Sequence, residues 1–139
     1  MVFWRTVSTV KPVEVLLVED NPGDATLVRL ALSQFEAPVN LRISADGMDA
    51  LRVLGEDTYR PALVILDLNL PKLSGHEVLD AYRGPRRAPV VVFSSSCQID
   101  DVKRARALGA QDYIQKPTDL QPFIDAVLGI AGRWIKPIA

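Results

Sequence analysis

Short apolar runs in this chain stop at residues that can do polar chemistry. Val13 to Val18 ends at Glu19-Asp20, Ala62 to Leu66 at Asp67, and Val90 to Phe93 at Ser94. A half-polar run, Gln111 to Ile114, leads to Lys116-Pro117. In an open α/β sheet, ligands bind beyond the carboxyl ends of the strands. If these runs are parallel neighbours, carboxylates, a hydroxyl and an ammonium share one rim. Adjacent carboxylates repel unless a cation sits among them, and hard oxygens of this kind suit Mg²⁺ or Mn²⁺. A carboxylate beside such an ion, a lysine and a hydroxyl is placed to attack phosphorus. The ion and Lys116 would offset charge on the phosphoryl oxygens, and Ser94 would donate a hydrogen bond to one of them.

The positioning elements follow from periodicity. Runs of β-branched and other apolar residues at 13–18, 62–66 and 90–93 suit strands covered on both faces. Val39 to Ser44 alternates strictly, as an edge strand would, and Gln111 to Ile114 is the candidate for the other edge. Between the strands the period becomes helical. Val28, Ala31, Leu32 and Phe35 make one face; Gly47, Ala50, Leu51 and Leu54 another; Gly75, Val78, Leu79 and Tyr82 a third. Ile99, Val102, Ala105 and Leu108 give a weaker pattern, and Leu120 to Ile135 the clearest. Ser74 with Glu77 and Thr118 with Gln121 predict capping boxes. Gly55, Gly84 and Gly109 sit where helices should stop, and Pro61 and Pro89 where strands open. Five strand–helix repeats with right-handed crossovers predict a doubly wound five-stranded parallel sheet in the order 2-1-3-4-5.

Length and charge bound the reading. The 139 residues fit one domain. We expect an N-terminal arm over 1–12, the domain over 13–131, and an extension of the last helix over 132–139. A formal net charge of −1 gives no bulk attraction to nucleic acid or an anionic membrane. One cysteine, Cys97, excludes an internal disulfide. Met1 to Val10 lacks the continuous apolar core of a signal peptide. A cytoplasmic protein is expected.

The motifs Val18-Glu19-Asp20-Asn21, Leu66-Asp67-Leu68-Asn69-Leu70-Pro71, Val92-Phe93-Ser94 and Tyr113-Ile114-Gln115-Lys116-Pro117 stand in order, each at a strand end. Together they resemble the receiver domain of bacterial response regulators, from about Val13 to Ala131. The resemblance implies a flavodoxin-like receiver fold with Asp67 as phosphoacceptor. It implies that Asp20 binds Mg²⁺ directly, that Glu19 acts through water, and that the Asn69 carbonyl adds a ligand. Ser94 and Lys116 would contact the phosphoryl group, Tyr113 would be the aromatic switch, and Lys116-Pro117 would be a cis bond. Such a protein takes its phosphoryl group from a sensor histidine kinase and signals to a downstream protein. It is no enzyme beyond its own phosphoryl transfer and autodephosphorylation. Glu19-Asp20-Asn21-Pro22-Gly23-Asp24, Leu68 to Lys72 and Trp134 also resemble the small response regulators paired with phytochrome kinases, although Ala81 to Ala88 is short for that group and Ser94-Ser95-Ser96 replaces its usual threonines. That implies a phytochrome partner.

Dehalogenase-type phosphatases need a second aspartate two residues after the nucleophile, where this chain has Asn69. The acidic loop Glu19 to Asp24, with one glycine, would repel a nucleotide or flavin phosphate. A pseudo-receiver would lack part of the set present here. Asn69 and Ser96, each two residues beyond a site residue, are expected to border the path of a hydrolytic water. His76 reads as a surface helix histidine, and Arg83, Arg86 and Arg87 as a solvated cluster. Trp134 and Ile135 are either the end of the core or a patch. We expect them to bury against a kinase or a second copy, forming a homodimer through the C-terminal helix face.

Overall fold

The structure, a computed structural model, describes residues 11–135. The N-terminal segment Met1 to Val10 and residues 136–139 of the expected extension lie outside them. Five strands, β1 (Val13–Val18), β2 (Val39–Ser44), β3 (Leu63–Leu66), β4 (Val90–Ser94) and β5 (Asp112–Gln115), form one sheet in the order β2-β1-β3-β4-β5. Every pairing is parallel. The connecting helices are α1 (Pro22–Ser33), α2 (Gly47–Leu54), α3 (Gly75–Ala81), α4 (Ile99–Ala107) and α5 (Leu120–Trp134).

Both faces of the sheet are covered, which is why the three central strands are apolar throughout. Val15 and Leu17 of β1, Leu63 and Ile65 of β3, and Val91 and Phe93 of β4 pack with α1 and α5. The alternate residues, Leu16, Val18, Val64, Leu66, Val90 and Val92, pack under α2, α3 and α4. Phe93 meets Phe123 of α5 edge to face at 5.1 Å. The edge strands β2 and β5 are only partly buried, in keeping with their polar content.

The Ser74–Glu77 capping box forms in both directions: Glu77 N–H donates to Ser74 Oγ (3.2 Å) and Ser74 N–H to Glu77 Oε1 (3.0 Å). The box expected of Thr118 does not form. The cap position is Asp119, and the first helical bond runs from Phe123 N–H to the Asp119 carbonyl. A start one residue earlier would need an N–H from Pro122, which has none. The same proline denies Asp119 a cap bond at the third helical position. Phe35 lies past the end of α1, and α3 stops at Ala81, with Tyr82 extended, before Gly84.

Ile135 is 2% exposed and belongs to the chain's own core, beside a half-buried Trp134. The expectation that Ile135 needs a second copy or a kinase for cover is therefore corrected. α5 ends at Trp134, and Ile135, the extended residue that caps it, is buried in the core with residues of α1 and α5. No peptide bond among the described residues is cis, so the cis Lys116-Pro117 bond is also corrected.

Gly75 opens α3 directly against the loop that follows β3. A Cβ there would lie 2.5 Å from the Asp67 carbonyl oxygen and 2.6 Å from Leu68 Cα. These are backbone atoms that cannot rotate away. Gly75→Ala is therefore expected to destabilise the protein by about 1–3 kcal/mol, the usual cost of overpacking, despite alanine's better helix propensity. The urea midpoint at unchanged m-value checks this.

Candidate phosphoacceptor and metal site

The polar residues at the rim are set by backbone bonds that continue the sheet past the strands. Glu19 N–H donates to the Ser44 carbonyl (2.9 Å), Asp67 N–H to Val18 (3.0 Å), and Lys116 N–H to Ser94 (2.8 Å). Glu19, Asp67 and Lys116 thus each sit one step beyond a strand, bonded in register to the neighbouring strand. The loop after Asp67 then turns sharply. Leu73 N–H bonds the Pro71 carbonyl (2.8 Å) around Lys72 at φ 69°, a γ-turn of the rare positive-φ kind. Gly75 N–H ties the loop back to the Leu68 carbonyl (2.9 Å).

Lys116 is the centre of the cluster. Its Nζ donates to Glu19 Oε1 (2.6 Å), Asp24 Oδ2 (2.8 Å) and Asp67 Oδ2 (3.2 Å). Glu19 is 3% and Asp67 6% exposed. Burial works against the lysine's charge, but the hydrogen bonds to Asp24 and Glu19 and the charge of Asp67 hold its pKa above the ordinary value. Burial pushes the Glu19 carboxyl up to about 7, opposed by its bond from Lys116 and aided by the charge of Asp67. Asn21 N–H donates to Glu19 Oε2 (3.1 Å), and Asn69 N–H to Asp67 Oδ1 (3.3 Å).

Glu19, Asp20 and Asp67 each present a carboxylate oxygen within 4.8 Å of the others. Asp20 is exposed at the mouth, whereas Glu19 is buried and already engaged by Lys116. An all-oxygen, anionic donor set of this kind fits a hard divalent cation.

Ser94, at the end of β4, is fully buried, and its Oγ lies 3.5 Å from the Ser96 N–H. Tyr113 of β5 is half-buried, and its hydroxyl donates to the Ser96 carbonyl (2.9 Å). Asn69 is exposed, and the Ser96 hydroxyl donates to Asp101 Oδ2 (2.6 Å).

Three features escaped the sequence reading. Asp24 reads from the sequence only as the end of an acidic loop, but the capped first turn of α1 carries it to Lys116. The distance of 92 residues along the chain left no local signal. His76 is 7% exposed rather than a surface residue, and its Nε2 lies 3.2 Å from Asp101 Oδ1. It sits in the first turn of α3, beside Gly75, on the side that faces α4. Arg87 is not simply solvated either. Its Nη1 donates to the Gly109 carbonyl (2.9 Å), and its guanidinium lies over the Tyr82 ring.

Comparison with known proteins bears on this geometry. Residues 15–128 match the family model described as the response regulator receiver domain. The chain is 36% identical over 135 residues to response regulator Rcp1 of Synechocystis sp., covering 91% of this chain and 92% of that protein. It superposes on the crystal structure of the phosphorylated cyanobacterial phytochrome response regulator RcpA with a TM-score of 0.84. That match has 36% identity and covers 93% of this chain and 100% of that one. The Mn²⁺-bound form of Rcp1 gives a TM-score of 0.83 at 35% identity, covering 92% of this chain and 98% of that one.

The raised Glu19 carboxyl makes stability pH-dependent in metal-free protein. The folded state keeps a proton up to about pH 7 that the unfolded chain loses from about 4.5. The stabilisation is therefore complete below about 4.5 and is lost as pH rises to 7. In EDTA, Glu19→Gln should lose on the order of 2 kcal/mol less than the parent between pH 5 and 7.5. Urea titrations of both proteins at the two pH values check it.

Proposed function

We propose, from the premise that the chain belongs to the response regulator receiver domain family, that Asp67 is its phosphoacceptor and a sensor histidine kinase its donor. The observation that carries this is the buried Asp67 carboxylate, joined to Lys116 and grouped with the oxygens of Glu19 and Asp20. An Asp67 oxygen forms the new O–P bond while the N–P bond to the kinase's phosphohistidine breaks. The departing imidazole keeps that electron pair. Lys116, already protonated by its surroundings, would turn from the carboxylates to the incoming phosphoryl oxygens. Ser94 would donate its hydroxyl to another oxygen.

Asp20, Asp67 and the Asn69 carbonyl would hold Mg²⁺, or Mn²⁺, with Glu19 acting through water. The ion would offset phosphoryl charge. As Ser94 moves toward phosphorus, Tyr113 would follow into the space behind it and change the surface made by α4, β5 and α5. A downstream protein would read that surface. The likeness to proteins described as phytochrome response regulators supports a phytochrome as the kinase. No helix among the described residues is long and apolar enough to cross a membrane. We place the chain in the cytoplasm, beside the kinase's catalytic part.

Asp67→Asn should abolish acid-labile labelling by a phytochrome kinase, or by acetyl phosphate with Mg²⁺. Undiminished labelling of the variant would overturn the assignment. Chelation should stop labelling of the parent. In a metal titration, Asp20→Ala should weaken binding about tenfold or more, and Glu19→Ala less.

We also propose that Asn69 and Ser96 border the approach of the water that hydrolyses the acyl phosphate. Both are small and uncharged, so the phosphorylated form should decay without a phosphatase. Ser96→Tyr should shield phosphorus and slow that decay several-fold, measured as phosphate loss from purified, kinase-free protein in excess Mg²⁺.

A further inference from the structure

The ammonium of Lys116 has three N–H donors, and all are taken, by Glu19 Oε1 (2.6 Å), Asp24 Oδ2 (2.8 Å) and Asp67 Oδ2 (3.2 Å). The three acceptors are not alike. Glu19 and Asp67 belong to the carboxylate group suited to a divalent ion, and Asp24 does not. Asp67 is also the group whose oxygen takes phosphorus in the function proposed above. Two of the acceptors therefore have a second claim on them once an ion and a phosphoryl group arrive. Of the three, only Asp24 has none.

An acidic residue in the first turn of a helix is ordinarily explained by the helix dipole, and Asp24 occupies such a position in α1. A dipole effect requires no particular side-chain direction. Here the carboxylate reaches a lysine just past β5, 92 residues along the chain, whose side chain is only 8% exposed. The backbone beneath Asp24 is pinned. Asp24 N–H donates to Asn21 Oδ1 (3.0 Å), Asn21 N–H to Glu19 Oε2 (3.1 Å), and Ala25 N–H to the Asn21 carbonyl (3.0 Å). Pro22, at the start of α1, stiffens the same turn. Asp24 is thus carried on a rigid turn, whereas Lys116 bears its charge on a long flexible stem. A short, charge-assisted bond is the strong kind, and in this one the fixed partner sets the position of the flexible one.

We propose that Asp24 is a positioning residue that anchors Lys116 in the loaded site, so that the lysine stays aimed at the phosphoryl group while its other two partners are drawn away. The proposal rests on the reading of Asp67 and the metal given above. As the ion draws on Asp67 and, through water, on Glu19, the lysine's bonds to both weaken. A phosphoryl oxygen takes the N–H that Asp67 gives up. Asp24 keeps its own bond, and the ammonium stays at the rim. Without that anchor the stem regains its freedom, and fixing it again opposes phosphoryl binding. Asp24 also carries a negative charge, which by itself would repel a phosphoryl group. The two effects have opposite signs, so the affinity for a phosphoryl mimic separates them.

The experiment uses the full chain with beryllofluoride as the phosphoryl mimic, in saturating Mg²⁺ so that metal affinity does not enter. Asp24→Ala should bind the mimic roughly 5- to 20-fold more weakly, the usual size of coupling between groups that share a partner. Asp24→Asn keeps an acceptor oxygen and should lose less. In mimic-bound Asp24→Ala, acetic anhydride should acetylate Lys116 several-fold faster than in the parent, read at that residue by mass spectrometry. Asp100→Ala, which removes an exposed first-turn acid of α4, should change neither reading. If folded Asp24→Ala binds beryllofluoride as tightly as the parent, the anchor is overturned and Asp24 is only a first-turn acid. Tighter binding also overturns it, and marks Asp24 as a competitor that holds Lys116 back. If the parent takes up no beryllofluoride, the reading of Asp67 fails instead. Acetylation of Lys116 in Mg²⁺ alone then decides whether Asp24 anchors it, an unchanged rate in Asp24→Ala counting against the anchor.

Discussion

The rim of this sheet depends on one ammonium group. Glu19, Asp24 and Asp67 converge on Lys116, two of them almost wholly buried. Carboxylates placed this close in a medium of low polarity would protonate or push apart without a positive partner. Three carboxylates against one ammonium leave the negative charge only partly offset, and burial, aided by the charge of Asp67, raises the Glu19 carboxyl. That residual excess is what a hard cation at Glu19, Asp20 and Asp67 would relieve. An arrangement poor in compensation is thus suited to two visitors, a divalent ion and a phosphoryl group, each matched to a different part of it.

Holding such a cluster requires a support that does not yield. The three central strands supply it by burying side chains on both faces, and the ladder bonds running one residue past the strands lock the backbone of Glu19, Asp67 and Lys116. The loop after Asp67 is fixed in turn by the γ-turn at Lys72 and by the close approach of Gly75. The acceptor's surroundings are therefore rigid on the β1–β3 side. On the β4–β5 side, side-chain hydrogen bonds through Ser96, Asp101 and Tyr113 tie the loop after β4 to α4 and to β5.

Much of this was legible in the residues themselves. An apolar run can be continuous only where both faces are covered, so 13–18, 62–66 and 90–93 declared themselves as central strands, and the polar residue ending each marked the rim. Strict alternation at Val39–Ser44 gave away an edge. The capping box at Ser74 was readable because both of its bonds lie within one turn. The one at Thr118 misled, since the deciding residue, Pro122, acts through an N–H that it lacks rather than through the motif.

What the sequence determined was local: the type and order of the elements, and which polar residue stands at each strand end. Tertiary structure decided everything that depended on how far apart residues fold together. Asp24 meets Lys116 only because the fold brings the first turn of α1 to the end of β5, although β3 and β4 lie between β1 and β5 in the sheet. His76 is buried where α3 meets Asp101 of α4, and Ile135, just past the end of α5, is buried among core residues of α1, α5 and the sheet. Hydrogen bonds and burial between distant segments arise from packing geometry. Periodicity along a chain carries no measure of that geometry.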